Sequence, residues 1–336
     1  MTGVADGTGG ETEQRANCPT DRSDDKPLSI PEGWYKQEAW YKKDWTFEIK
    51  NTSFLGDLMF LRPSTLRDAT QALAEGGQVL AGGTDFFPAL GTRPVTGAVI
   101  DVSRIPELRG IDLASDQVRI GGATTWSEIA TAPLPRCFDA LRAAAREVGA
   151  VQVQNRGTIA GNLCNASPAA DGVPPLLILD AEVELTSSSG VRRLLLKDFI
   201  VGNRKTCRRS DEILSSVIVS RSLQDAPSVF VKLGARRYLV ISITMLAVLL
   251  GHDGNGRVRV ARIAVGSCSA TAQRLLELER DLAGQPLGRA LSSLVRAGHL
   301  ASLSPIDDVR ATAAYRRDAT LTLVRRALDA CVEAQP

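Results

Sequence analysis

The chain has 336 residues, 44% of them apolar and 23% charged, with a formal net charge of +2. These are the proportions of a soluble globular protein with room for two domains. So small a net charge gives no electrostatic basis for binding nucleic acid or an anionic membrane surface.

Residues 1–27 carry almost no bulky apolar side chains and read as disordered, with no apolar leader segment. Residues 28–53 then gather Trp34, Tyr35, Trp40, Tyr41, Trp45 and Phe47. An arm packed on its own domain and a docking segment for a partner chain both fit this composition. Residues 1–50 are therefore set apart as an N-terminal extension.

Regular patterning starts near residue 54. Leu66, Ala69 and Leu73 stand at helical spacing behind Ser64 as N-cap, and Gly76–Gly77 stops that helix. Strands are expected at Gln78–Ala81, Ala98–Val102 and Val118–Ile120, and a helix over about Asp139–Val148. Val151–Asn165, rich in Gly, Asn and Thr, reads as an extended loop. Leu176–Thr186, Val191–Leu196 and Glu212–Val219 read as a helical turn and short strands.

The segment 224–227 (QDAP) marks a boundary. Beyond it Val229–Leu233, Val240–Leu250 and Val258–Val265 are expected as antiparallel strands, with a turn at His252–Gly256. The run Leu239–Leu250 is too short to cross a bilayer, which takes about 20 residues, so it reads as a buried strand. Amphipathic helices are expected at 271–282, 287–298 and 308–332. Strands followed by helices, without strict alternation, define an α+β class.

Six cysteines, at 18, 137, 164, 207, 268 and 331, form no C-x-x-C pair, and His252 and His299 stand at no ligand spacing to them. Zinc and iron–sulfur sites need clustered thiolates or imidazoles, so no metal is expected on this chain. Scattered thiols point to a reduced, cytoplasmic setting.

Two glycine-bearing loops carry the candidate chemistry. The first, Leu80-Ala81-Gly82-Gly83-Thr84-Asp85, follows an apolar strand. Paired glycines let the backbone approach a ligand, and successive N–H groups can cradle an anionic oxygen. It is neither a dinucleotide fingerprint nor a P-loop. The second, Gln152–Asp171, is dense in amides, hydroxyls and glycine, as a diphosphate and a heteroaromatic ring would require. A basic run, Arg204-Lys205-Thr206-Cys207-Arg208-Arg209, reads either as a solvated loop or as a contact for an acidic nucleotide or partner.

Together these residues resemble the FAD-binding (medium) subunit of the xanthine dehydrogenase and carbon monoxide dehydrogenase family of molybdenum hydroxylases. The resemblance spans roughly residues 54–332. It rests on AGGTD (81–85), QNRGTIAGNLCNASPAAD (154–171), IDVSRIPELRGI (100–111), RIGGATTWSEI (119–129), DEIL (211–214), FVKLGARR (230–237), ARIAVGSCSATAQR (261–274) and DVRATAAYRR (308–317). It implies an FAD-binding domain of the vanillyl-alcohol oxidase (PCMH) type in two subdomains over 51–224. A smaller C-terminal domain of antiparallel sheet plus helices would follow over 225–333.

By resemblance, Ala81–Asp85 with flanking Leu80 and Phe86 would hold the FAD diphosphate and flank the flavin. Thr158, Gly161, Asn162 and Asn165 would join the same site, Asp171 would hydrogen-bond the cofactor, and Leu214 and Lys232 would line the pocket. Where the family commonly has T-I-G-G-N, this chain has Ala160 in place of the first glycine. A positive φ at that position would cost an alanine on the order of 1 kcal/mol. No histidine lies beside either loop, so the FAD is expected to be non-covalent.

No acid–base or nucleophilic constellation is visible, which suits a chain whose chemistry belongs to its cofactor. The resemblance implies a 2Fe–2S small subunit and a molybdenum cofactor-binding large subunit as partners, in a dimer of heterotrimers. The missing cysteine clusters agree with iron–sulfur centres on another chain and argue against an additional 4Fe–4S insert here. Two other readings remain at this point: a stand-alone FAD oxidoreductase, and a scaffold subunit that binds no FAD.

Overall fold

The computed structural model describes residues 52–55 and 58–335. The N-terminal extension and its aromatic segment lie outside the described residues.

The chain first builds a four-stranded sheet from β1 (Thr52–Leu55), β2 (Leu58–Leu61), β3 (Gln78–Leu80) and β4 (Gly97–Asp101), in the spatial order β1-β2-β4-β3. β2 and β3 both lie parallel to β4, and β1 is antiparallel to β2. Parallel neighbours need crossovers, supplied here by helices α1 (Leu66–Ala74) and α2 (Phe86–Leu90). The cap of α1 is Thr65 rather than the expected Ser64: its backbone is extended, and its hydroxyl accepts from Asp68 N at 3.1 Å.

A second sheet takes β5 (Ile111–Leu113), β6 (Gln117–Gly121), β7 (Glu182–Ser187), β8 (Gly190–Leu195) and, after a short hairpin of β9 (Ile200–Gly202) and β10 (Lys205–Thr206), β11 (Ile213–Ser220). Its order is β5-β6-β11-β7-β8, antiparallel throughout. Between β6 and β7 the chain inserts α3 (Trp126–Thr131), α4 (Asp139–Glu147), α5 (Val151–Gln154), α6 (Ile159–Asn165) and α7 (Val173–Ile178), and α8 (Leu196–Phe199) follows β8. Trp126, Phe138, Leu141, Ile159 and Leu176 pack on Val118, Ile120, Val183 and Val217 to form the core of this part.

The expectation of an extended loop at Val151–Asn165 is corrected: the segment is mostly helical, in α5 and α6. The Thr158 hydroxyl accepts from Gly161 N at 3.1 Å and starts α6. Ile159 and Leu163, four residues apart, are both buried. Polar and small residues that suggested a loop instead form caps and one face of a helix with a narrow apolar stripe. Ala160 lies inside α6 and outside the left-handed region, so it carries no such strain.

The C-terminal part is an antiparallel meander of β12 (Ser228–Leu233), β13 (Thr244–His252), β14 (Val258–Gly266) and β15 (Gln273–Arg274), with α9 (Leu276–Leu282) and α10 (Ala313–Glu333). Two expected helices change. Residues 273–274 pair with β14 as a strand end, and 287–298 forms short 3-10 turns at Arg289–Leu294 and from Ala297. The third begins only at Ala313, where Thr312 caps it.

β13 is buried on both faces: Leu246, Val248 and Leu250 enter the core beneath α9 and α10, while Ala247 and Leu249 join that of the second sheet. Such two-sided burial explains its unbroken apolar run. No helix among the described residues is long and apolar enough to cross a membrane.

Candidate cofactor site

A cavity of about 460 Å3 opens where the two sheets meet. β3 runs directly into its first wall, the turn Ala81–Asp85. A Cβ on Gly82 would sit 1.9 Å from the Arg156 carbonyl oxygen, so only glycine permits this approach of the two loops. Gly83 has φ +78°, and its absent Cβ would lie 2.8 Å from the Phe87 ring. These contacts account for glycine at both positions. Both residues also line the cavity, where a main chain without side chains suits a ligand bound by N–H groups.

The second wall is the start of α6. Trp126 N donates to Gly157 O (3.1 Å), Ile159 N to Thr124 O (3.0 Å) and Ala160 N to Gly122 O (3.0 Å). These bonds tie α6 to the turn after β6. Trp126 is almost fully buried and backs the cavity; a Cβ on Gly172 would meet its ring at 2.4 Å. The third wall is the entry to β11, at Glu212, Ile213 and Leu214.

The structure brings most of the sequence-selected residues together. The turn from Ala81 through Phe86 lines the cavity, with Thr158, Gly161, Asn162 and Asn165 from the second loop and Leu214 from β11. Leu80 is buried at the end of β3 and does not line it. Asp171 and Lys232 do not line it either. Lys232 Nζ donates to Asp171 Oδ2 at 2.7 Å and to Glu147 O at 3.2 Å, and Ser242 donates to Asp171 Oδ1 at 3.1 Å. Burial pushes the Asp171 carboxyl above the usual carboxylate range, against the pull of Lys232.

Sequence reasoning missed Gly122, Trp126 and Glu212 as lining residues. It held Arg208 only within a basic run read either as a solvated loop or as a contact for an acidic nucleotide or partner. The Gly121–Gly122 pair after β6 repeats the strand-then-two-glycines pattern of the first loop. A Cβ on Gly122 would fall 2.2 Å from Leu214 O, a second close backbone contact at the same cavity. Glu212 accepts from Arg192 Nε and Nη2 at 2.6 and 2.9 Å and from Arg209 N at 2.7 Å. Its hydrogen bonds to Arg192, above all, hold its carboxyl below the usual range. Cys164 also lines the cavity, and burial pushes its thiol up to about 11, so it stays un-ionised.

Two features test whether FAD fits. Asn162 Oδ1 is a buried acceptor with no partner, and a buried polar atom needs one. FAD carries suitable donors in its imide, ribityl hydroxyls and adenine amine. The glycine cradle at 82–83 suits a diphosphate. No group of three or more His, Cys, Asp or Glu that could hold a metal occurs among the described residues.

Fold and cavity together define a cofactor-binding α+β protein with a separate C-terminal sheet-and-helix domain. Residues 52–221 match the family described as FAD binding domain in molybdopterin dehydrogenase, and 230–331 match the CO dehydrogenase flavoprotein C-terminal domain. The chain is similar to the nicotinate dehydrogenase FAD-subunit of Eubacterium barkeri, 34% identical over 240 residues, covering 69% of this chain and 81% of that one. It is 32% identical over 279 residues to a putative xanthine dehydrogenase FAD-binding subunit of Escherichia coli, covering 81% and 95%.

Carbon monoxide dehydrogenase from Hydrogenophaga pseudoflava superposes with a TM-score of 0.73 at 27% identity, over 81% of this chain and 96% of that one. The chain belongs to the family of FAD-binding subunits of molybdenum-containing dehydrogenases. It is thus an oxidoreductase subunit whose cofactor is FAD.

Proposed function

We propose that this chain carries electrons from the 2Fe–2S clusters of a small partner subunit, through its FAD, to an external acceptor. In this reading a large partner holds the molybdenum cofactor, the assembly is a cytoplasmic dimer of heterotrimers, and residues 51–224 and 225–333 are the two domains. The observation that carries it is the cavity lined by the glycine turn 81–85 and by the start of α6 with its unpartnered Asn162. Relatives named as subunits or medium chains of dehydrogenases support the dependence on partners.

FAD, when bound, supplies the redox chemistry, joining one-electron centres to a two-electron acceptor. This chain's residues bind and orient it. Gly82 and Gly83 bring main-chain N–H groups to the diphosphate, Asn162 accepts a donor of the cofactor, and Trp126 and Leu214 close the cavity to water. Thr158 holds the start of α6 in place against it. No side chain is asked to move a proton. The two histidines do not line the cavity and the Cys164 thiol there stays un-ionised, which supports non-covalent attachment.

The test is to express the chain with its chromosomal neighbours and record the visible spectrum of complex and isolated subunit. Flavin bands released on denaturation, with iron–sulfur absorption only in the complex, are expected. A colourless chain that still assembles would refute the flavin role and leave a scaffold. A flavoprotein purified alone that oxidises substrate without partners would favour the stand-alone enzyme.

A further inference from the structure

Among the described residues three charged side chains line the cavity: Asp85, Glu212 and Arg208. The Glu212 carboxylate is fully engaged by Arg192 and by the Arg209 backbone. Arg208 is different. Among the described residues it forms no ion pair, whereas its neighbours Arg192 and Arg209 both approach Glu212. Its Nη1 donates to two carbonyl oxygens, Arg209 O at 3.0 Å and Glu212 O at 2.6 Å. These fix the plane of the guanidinium and, among the described residues, leave Nε and Nη2 without an acceptor. On the other side the turn that carries it is tied to α6. Arg204 N donates to Ala166 O at 2.9 Å, and Arg204 Nη1 to Asn165 Oδ1 at 2.6 Å.

A half-buried cation loses part of its hydration, and an ionic partner offsets that loss more fully than neutral acceptors do. An immobilised guanidinium presents its remaining N–H groups as a planar fork suited to an oxyanion. The other lining charges are negative, yet FAD itself brings a dianionic diphosphate. Arg208 is the one cationic side chain among the described lining residues that can offset it.

We propose that Arg208 is the positive counter-charge for the bound FAD, its free N–H groups meeting an anionic oxygen of the cofactor. The inference rests on the FAD reading above. Two parts of the cofactor carry such an oxygen: the diphosphate, and the ring once it gains negative charge on reduction.

The experiment compares FAD and riboflavin, which lacks the phosphates, in fluorescence titrations of the flavin-stripped full chain. Arg208→Gln is expected to weaken FAD about 10- to 100-fold and to leave riboflavin within about twofold. Arg208→Lys, which keeps the charge but not the fork, should fall between. Arg209→Gln removes the same net charge outside the cavity and should change either affinity by no more than about twofold. If the FAD affinity of Arg208→Gln is unchanged but the potential of the bound flavin falls, the partner is the ring rather than the diphosphate.

Equal weakening of FAD and riboflavin would overturn the inference, since it would report a deformed cavity. So would unchanged affinity and potential, or an Arg209→Gln effect matching that of Arg208→Gln. A wild-type chain that takes up neither flavin refutes the cofactor reading first, and this inference falls with it.

Discussion

Replacing Lys232 by Met tests how the C-terminal domain is joined to the FAD-binding domain. The Lys232 and Asp171 side chains are 6% and 10% exposed and meet at 2.7 Å. Methionine keeps the bulk of the lysine stem and removes its charge, leaving the Asp171 carboxylate with Ser242 alone. Breaking a buried pair from one side costs about 3–5 kcal/mol, because the remaining charge is neither hydrated nor paired. Asp171→Asn together with Lys232→Met should lie closer to wild type than the two single changes predict, by about 2 kcal/mol.

The pH dependence adds a second constraint on Lys232→Met. Burial pushes the Asp171 carboxyl above its usual range. Such a group binds its proton more tightly folded than unfolded, so its ionisation weakens the fold as pH rises through that interval. Without Lys232 the shift grows. The deficit of Lys232→Met should therefore be largest near neutral pH and shrink as acid protonates Asp171. Urea unfolding followed by circular dichroism at several pH values measures this. A deficit below about 1 kcal/mol, or one that does not shrink as the pH is lowered, would refute the reasoning.

Gly82→Ala should yield folded but flavin-poor protein. Its methyl would stand 1.9 Å from Arg156 O, forcing the two loops apart, at a cost of about 1–3 kcal/mol in unfolding experiments. Full flavin content would contradict the cradle. Thr158→Val, which removes the acceptor for Gly161 N, should cost about 1 kcal/mol and weaken FAD binding, with Thr158→Ser restoring both. Glu212→Gln should cost about 1.5 kcal/mol, the low end for a charged hydrogen bond, because Arg192 stays 35% exposed. As the Glu212 carboxyl is held below its unfolded value, its contribution is complete at neutral pH and lost as pH falls through the acid range. The difference between Glu212→Gln and wild type in acid-unfolding curves should accordingly vanish at low pH.

The strands were legible where period or apolar run left one choice, as at Gln78–Leu80 and Thr244–His252. Helix α6 was not. Its buried stripe amounts to Ile159, Ala160 and Leu163, too few positions for a periodic signal among residues that locally favour turns. The 287–298 segment shows the converse. Its apolar spacing suits an α-helix, yet the chain closes it into 3-10 turns around Leu291, Val295 and Leu300. At the cavity, the glycine turns were visible as a pattern, but their meaning was not. Gly82 is informative only because Arg156, distant in sequence, lies against it. Arg208 sat in a basic run indistinguishable from a solvated loop until the fold placed it on the wall.

Among the described residues, every one lining the cavity lies between Leu73 and Leu214, and none comes from the C-terminal domain. Lys232 is nevertheless coupled to it. Its Nζ donates to the carbonyl of Glu147, at the end of α4, and the next residue, Val148, lines the cavity. The same Nζ holds Asp171, next to Gly172, whose backbone lies against the Trp126 ring behind the cavity. A single buried ammonium thus fixes two backbone segments, one on the wall and one behind it, from a strand that never reaches the cavity. Lys232 therefore touches the site only through these two hydrogen bonds, which hold the segments carrying Val148 and Gly172.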